Sequence, residues 1–265
     1  MLTKDVAICI RAADYSETSQ IVTFFGRAAG KISAIAKGSK RPKSAFDGPI
    51  EIFSYGKIVF SDSNKEKLAI LTEFAPHQLG VPSTNKASSF GAGQLVRGSS
   101  LSNNLYTMNC CLFGAELLNN LTHDYDPHPA LFDDFLQFLE NTQNINNKHQ
   151  MLALLILFQL SLLKEVGLRP VLNACANCTT SYEGQKTRDE VYFSSSANGL
   201  VCRDCEGAFP DRIKLTKRAA NCLSNLKLIA ESKEKTLIEI ETVLVHHFTE
   251  LLGRKPKMAK YILTF

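Results

Sequence analysis

Two C-x-x-C pairs, CANC at Cys175 to Cys178 and CRDC at Cys202 to Cys205, stand 23 residues apart. Two thiolates at i and i+3 can share one metal ion across a tight turn, and two such knuckles complete a tetrahedral site. Any fold of this chain therefore has to bring the two pairs together. Zinc is the expected ion, one per chain, held by Cys175, Cys178, Cys202 and Cys205. With cysteine at all four positions no coordination site is left for a catalytic water, so the expected role is structural. A redox reading of either pair would need a βαβ setting, which the surrounding sequence lacks. The separation is slightly longer than the commonest ribbon spacing and leaves room for a hairpin around Tyr192 and Phe193. The other cysteines, Cys9, Cys110, Cys111 and Cys222, sit in apolar surroundings and read as small core residues in a reducing compartment.

At 265 residues and 45% hydrophobic content, the chain is long enough for two domains and can bury a substantial core. No apolar run reaches the 18 or so residues of a membrane span, and MLALLILFQLSLL, residues 151–163, is broken by Gln159 and Ser161. The first residues, MLTKDVAICIRAAD, have too short an apolar core and too early an acid, Asp5, for a signal peptide. A soluble, cytoplasmic protein is expected. Its charge is uneven: Lys and Arg outnumber Asp and Glu by 11 to 8 in residues 1–80 and 15 to 11 in residues 166–265, but are outnumbered 4 to 7 between them. Residues 18–46 hold Arg27, Lys31, Lys37, Lys40, Arg41 and Lys43 and no acidic residue. A solvated face normally mixes its signs.

Short β-type runs at residues 6–11, 21–25, 31–37, 50–60 and 67–72 alternate with turn-forming segments, and five short strands at this spacing suit a small barrel. An OB-fold is the candidate, because it closes five strands and binds oligonucleotides on its central strands and loops; periodicity alone does not separate it from an SH3-like barrel. The loop leaving the third strand, AKGSKRPKS, fits a phosphate backbone, since each neutralised phosphate releases condensed counterions. Phe24, Phe25, Phe46, Phe53 and Tyr55 lie close enough in the chain to offer stacking surfaces, although aromatics in small barrels mostly fill the interior. GRAAGKIS, residues 26–33, superficially resembles a nucleotide-binding P-loop. It has three residues between its glycines instead of four, and Ile32 where a hydroxyl must follow the lysine, so nucleotide hydrolysis is excluded.

Pro76, Gly80 and Pro82 mark a boundary, after which the polar stretch to Asn104 reads as a loop or a weakly specified helix. Beyond it the period becomes helical, with apolar stripes at Leu112 to Leu121 and Leu131 to Leu139, a third helix at Met151 to Lys164 that is apolar on nearly every side, and a last stripe at Leu237 to Leu251, stopped at Gly253. His246 and His247 on this last helix have no acid or thiol at a motif spacing and read as structural.

The order of these features resembles the bacterial recombination mediator family RecO over nearly the whole chain. The resemblance rests on GKISAIAKGSKRPKS, the Leu131-Phe132 helix start, LLKEVGLRPVLNACANC, Phe193, Gly199, CRDC and HHFTELLGRKPKM. It implies an α+β multidomain chain with an N-terminal five-stranded OB-fold barrel, residues 1–80, and a mainly α-helical domain, residues 81–265, with a four-cysteine zinc module inserted at about 171–210. It implies no catalytic residues, binding of single- and double-stranded DNA, annealing of complementary strands, and loading of RecA in the nucleoid together with RecR and the C-terminal tail of single-stranded-DNA-binding protein. Arg254, Lys255, Lys257 and Lys260 beside an apolar helix would suit that acidic, apolar tail. The family often places Gly-Gly before the second cysteine pair, where this chain has Asn198-Gly199. The rival expectation is a zinc-containing regulator or scaffold whose barrel binds RNA or protein.

Overall fold

The computed structural model describes residues 2–42, 44–46, 48–61, 68–77, 104–143, 145, 147–182 and 190–263. Five strands come first: β1 (Leu2–Asp14), β2 (Gln20–Gly26), β3 (Gly30–Ala36), β4 (Tyr55–Ser61) and β5 (Ala69–Pro76). They close a barrel in the order β1-β2-β3-β5-β4, with β4 returning to β1. All pairs are antiparallel except β3 with β5, where Ala34, Ile35 and Ala36 run parallel to Ala69, Ile70 and Leu71. That order, with its single parallel closure, is the OB-fold. β1 is long because it serves both neighbours: Leu2 to Ile8 pair with β4 and Ala7 to Asp14 with β2, with a bulge between Cys9 and Arg11. A bulge bends a strand and increases its twist, which lets one strand complete a closed surface.

The barrel interior is filled by alternate residues, among them Ala7, Cys9, Val22, Phe24, Ile32, Ala34, Ile58, Phe60 and Leu71. On β2 the burial does not alternate, because Phe25 on the outer face is also sealed. Its cover is helix α2 (Pro129–Thr142), which sets Phe132 6.2 Å from Phe25 and 6.4 Å from Tyr55, and Phe135 6.5 Å from Phe53. The β-type run expected over residues 50–60 becomes a strand only from Tyr55. Phe53 adopts a left-handed φ of 66°, its N–H donating to Cys9 O at 2.7 Å, and so turns its ring onto α2 instead of continuing the strand.

Compact units do not follow one cut near residue 80. Met1–Asn103 groups with Thr122–Asn144, and Asn104–Leu121 with Ile145–Phe265. The second unit is built on α1 (Leu105–Leu121), α3 (Lys148–Glu165), α4 (Lys217–Ser224), α5 (Glu234–Leu252) and α6 (Ala259–Ile262). α1 and α5 both pack on α3, which is why α3 is apolar nearly all round. α5 ends as expected at Gly253, in the left-handed conformation with φ 65°. A small sheet in the order β7-β6-β8 completes this unit, from β6 (Val191–Ser194), β7 (Gly199–Cys202) and β8 (Ile213–Leu215). β6 and β7 are the hairpin expected around Tyr192 and Phe193. Cys9, Cys110, Cys111 and Cys222 are all buried. The stretch read as a loop or weak helix, residues 83–104, lies outside the described residues except for Asn104. Among the described residues no helix is long and apolar enough to cross a membrane.

Candidate nucleic-acid interface and metal centre

The basic loop leaves β3 on a fixed footing. Ser39 has no exposed surface and donates to Gln20 Oε1 at 2.9 Å, and Gln20 in turn exchanges hydrogen bonds with the backbone of Ile50. Gly38 takes a φ of 72°, which a side chain would resist, and accepts from Arg41 N at 3.0 Å to close the turn. With Ser39 as the inward anchor, Lys37 and Arg41 on either side are exposed, and neither has a carboxylate within salt-bridge distance among the described residues.

Other cations of the acid-free interval have partners supplied from elsewhere in the chain. Lys40 reaches Asp14 at 2.8 Å. The Arg27 fork grips both oxygens of Asp133, at 2.9 and 2.8 Å, and these hydrogen bonds hold that carboxyl below the usual carboxylate range. Lys31 is only 12% exposed at its side chain; it donates to Thr122 O at 2.7 Å and approaches Asp124 at 3.4 Å. Lys43 lies outside the described residues. GRAAGKIS is thus a clasp. The Asp5 carboxylate accepts from Ala28 N and Ala29 N, taking up donors that a phosphate would need, and Gly30 lets the backbone of Asp126 approach to where a Cβ would lie 2.3 Å from its carbonyl oxygen. Phe24, Phe25, Phe46 and Phe53 are buried, and Tyr55 packs on Phe132 and His77, so these rings belong to packing.

In the second unit the four cysteine sulfurs all lie within 4.8 Å of one another. The first knuckle is closed by Thr179 N donating to Cys175 O and Cys175 N to Thr180 O, both at 2.9 Å, with Thr179 at φ 62°. Cys202 ends β7, and Cys205 N donates to its carbonyl at 3.1 Å to form the second knuckle. A tetrahedron of thiolates about 2.3 Å from a central ion has edges of about 3.8 Å, and Cys178 Sγ and Cys202 Sγ stand 3.7 Å apart. Asn177 Nδ2 donates to Cys205 Sγ at 3.3 Å, and Cys202 N to Cys175 Sγ at 3.4 Å. Hydrogen bonding from the Thr180 side chain and backbone draws the Cys178 thiol down to about 6, while burial pushes Cys202 up to about 12. This donor set can hold a metal ion, with the sulfurs' remaining demand met by N–H groups.

His247 is fully buried, edge-on to Phe193 at 5.2 Å, and bonds Ser195 Oγ through Nδ1 at 3.1 Å; burial lowers its pKa to about 4. It pins the β6–β7 turn to α5.

The family model described as Recombination protein O N terminal matches residues 1–79, and that described as Recombination protein O C terminal matches residues 102–260. The chain belongs to the RecO family. It is similar to proteins named DNA repair protein RecO from Bacillus pumilus, at 28% identity over 276 residues covering 99% of this chain and 94% of the relative, and from Bacillus subtilis, at 26% over 280 residues with the same coverage. A relative of that name from Rhodopirellula baltica is 29% identical over 229 residues, covering 86% of this chain and 75% of its own length. RecO membership agrees with the barrel topology and the four-cysteine cluster. Sequence reasoning missed Gln20 and Ser39, the buried pair that fixes the basic loop, whose only local signal is a polar residue at an inward strand position.

Proposed function

We propose that this RecO chain is a DNA-binding recombination mediator that acts without a catalytic centre of its own. It binds single- and double-stranded DNA through the loop after β3, anneals complementary strands, and with RecR helps RecA onto DNA covered by single-stranded-DNA-binding protein. The observation that carries this reading is the pair of exposed cations Lys37 and Arg41, without a carboxylate at salt-bridge distance among the described residues, on a loop anchored by Ser39. Annealing requires two mutually repelling backbones to approach. A surface that neutralises phosphates without gripping bases lets complementary bases sample pairing. Bulk charge does not do this, because one zinc ion on four thiolates would lower the formal +4 to about +2. Arg27 and Lys31, committed to Asp133 and to Thr122, serve the first unit's own structure.

The zinc ion is assigned to Cys175, Cys178, Cys202 and Cys205; when bound it supplies cross-linking, and the chain's own contribution is the two knuckles and their N–H donors. The tail of single-stranded-DNA-binding protein is assigned to the helical unit. There a groove of about 580 Å³ is lined by Leu157, Leu160 and Val171 together with Lys164 and Arg169, and Arg254, Lys255, Lys257 and Lys260 are exposed beyond α5.

The test is a mobility-shift titration at several salt concentrations with Lys37→Ala/Arg41→Ala. Single-strand affinity should fall for every sequence alike. The slope of log affinity against log salt should flatten by about 1.4, at about 0.7 per lost contact. Annealing should fall in parallel and the melting temperature should hold. An unchanged slope in the folded variant would remove the loop from the interface.

A further inference from the structure

The rim of the barrel that carries the basic loop also presents one aromatic ring that no core absorbs. Residues 1–77 contain eight aromatics. Phe24, Phe25, Phe46, Phe53, Phe60 and Phe74 are buried and Tyr55 packs on its neighbours, whereas Tyr15 is 61% exposed. Tyr15 opens the turn that joins β1 to β2, where Tyr15 N and Ser16 N both donate to Ser19 O, at 2.9 and 3.2 Å. The same turn is fastened to the basic loop: Lys40 N donates to Thr18 O at 3.1 Å, Gly38 N to Ser19 Oγ at 3.2 Å, and Lys40 Nζ to Asp14 at 2.8 Å.

A lone exposed tyrosine needs no explanation. A tyrosine on a hydrogen-bonded turn, stitched to a loop with two exposed cations that meet no carboxylate among the described residues, is a different object. Single strands are held by cations that follow the backbone combined with flat side chains on which unpaired bases stack. In a duplex each base face is covered by the next base, so the ring can add affinity only to unpaired DNA. Glu17, exposed in the same turn, repels phosphate, which leaves the ring as what this turn offers a strand.

We propose that Tyr15 is a stacking platform for an unpaired base of single-stranded DNA, beside the phosphate-binding cations Lys37 and Arg41. The proposal rests on the DNA-binding reading and adds to it the residue that distinguishes single strands from duplex.

The chain has no tryptophan, so Tyr15→Trp in the full-length protein places a single indole reporter at the site. It is titrated with oligothymidylate and with a duplex of equal length while a mobility shift records binding. Indole emission should be quenched by the single strand and not by the duplex. Tyr15→Ala should weaken single-strand binding about tenfold and leave both the duplex affinity and the salt slope as they were, since no phosphate contact is lost. Tyr15→Phe should restore what the alanine loses, because stacking uses the ring and not the hydroxyl. Unquenched indole on fully bound single strand, or equal losses on single strand and duplex in Tyr15→Ala, would overturn the platform alone. If the unaltered chain bound neither DNA, the DNA reading would fall and the platform with it.

Discussion

Glu241 has no exposed surface and receives one hydrogen bond, from Gln159 Nε2 at 2.9 Å. Glu241 Oε2 and Gln159 Oε1 are buried with no hydrogen-bond partner among the described residues. An ionised carboxylate can only accept, whereas a protonated carboxyl also donates through its O–H, so the neutral form suits a site short of donors. Burial accordingly pushes the Glu241 carboxyl up to about 7, against the smaller opposing effect of the Gln159 hydrogen bond. The unfolded chain releases this proton near the ordinary glutamate value of about 4.3. Between there and about 7 the native state binds more protons. The stabilisation is therefore complete at low pH and is lost as pH rises through 7. Glu241→Gln, neutral at every pH and able to donate, should raise stability at pH 8 on the order of 3–4 kcal/mol and at pH 5 by only about 1 kcal/mol. Thermal melts at the two pH values check it; an equal gain at both would refute the linkage. The burial was legible, since residue 241 lies four after Leu237 and three before Leu244 on the apolar stripe. Its partner was not, nor was the pairing of Arg27 with Asp133, 106 residues away, because a local charge count sees only neighbours in the chain.

Each of the strands and knuckles around the metal centre depends on backbone fit. Asn198-Gly199 stands where the family often has Gly-Gly, and the geometry separates the two positions. Asn198 takes a φ of 50°, a conformation asparagine tolerates, and its Nδ2 donates to Arg169 O at 3.2 Å. Gly199 faces Val171, whose carbonyl oxygen would lie 2.4 Å from an added Cβ, while Leu200 N donates to that same oxygen at 2.8 Å. The first glycine is thus replaceable and the second is not. Gly199→Ala should push β7 off residue 171, shift Cys202, and weaken zinc retention by about tenfold, as loss of an outer support does. Cys202→Ser should fall clearly below one zinc per chain. Helical circular dichroism should persist in both, because α1, α3 and α5 pack without the module's sheet. Metal analysis after dialysis against a chelator measures the first effect, and full retention in Gly199→Ala would show that the hairpin does not set the site. The C-x-x-C spacing pointed to the four cysteines that the fold gathers, because metal-ligand chemistry fixes that spacing. The strand ends eluded periodicity, as at Phe53, where a left-handed turn interrupts a continuous β-type run.

The chain enters each compact unit twice, since Thr122–Asn144 returns to the barrel before Ile145–Phe265 completes the helical unit. Pro76, Gly80 and Pro82 suggested a boundary near residue 80, and the family models also divide between residues 79 and 102. Neither signal reports the return, because an apolar stripe such as Leu131 to Leu139 tells that a helix face is buried and not what buries it. The consequence is physical. Without α2 a fragment of residues 1–80 would expose the outer faces of Phe25 and Phe53, lose the Arg27–Asp133 fork and release Lys31 from Thr122. Uncovering two phenylalanines costs roughly 3–6 kcal/mol, comparable to the whole stability of a small domain at about 5–15 kcal/mol. The fragment should therefore self-associate and bind a hydrophobic dye, and a synthetic peptide of residues 122–144 added in trans should restore a monomer with a cooperative melt. In the full chain, Phe132→Ala should cost about 3–5 kcal/mol. It should leave the salt slope of DNA binding intact at temperatures where it stays folded, since Lys37 and Arg41 are anchored through Ser39 and Gln20 and not through α2. A monomeric, cooperatively melting fragment of residues 1–80 alone would mean that α2 is a passenger on the barrel, and the boundary suggested by the prolines would then be the folding boundary.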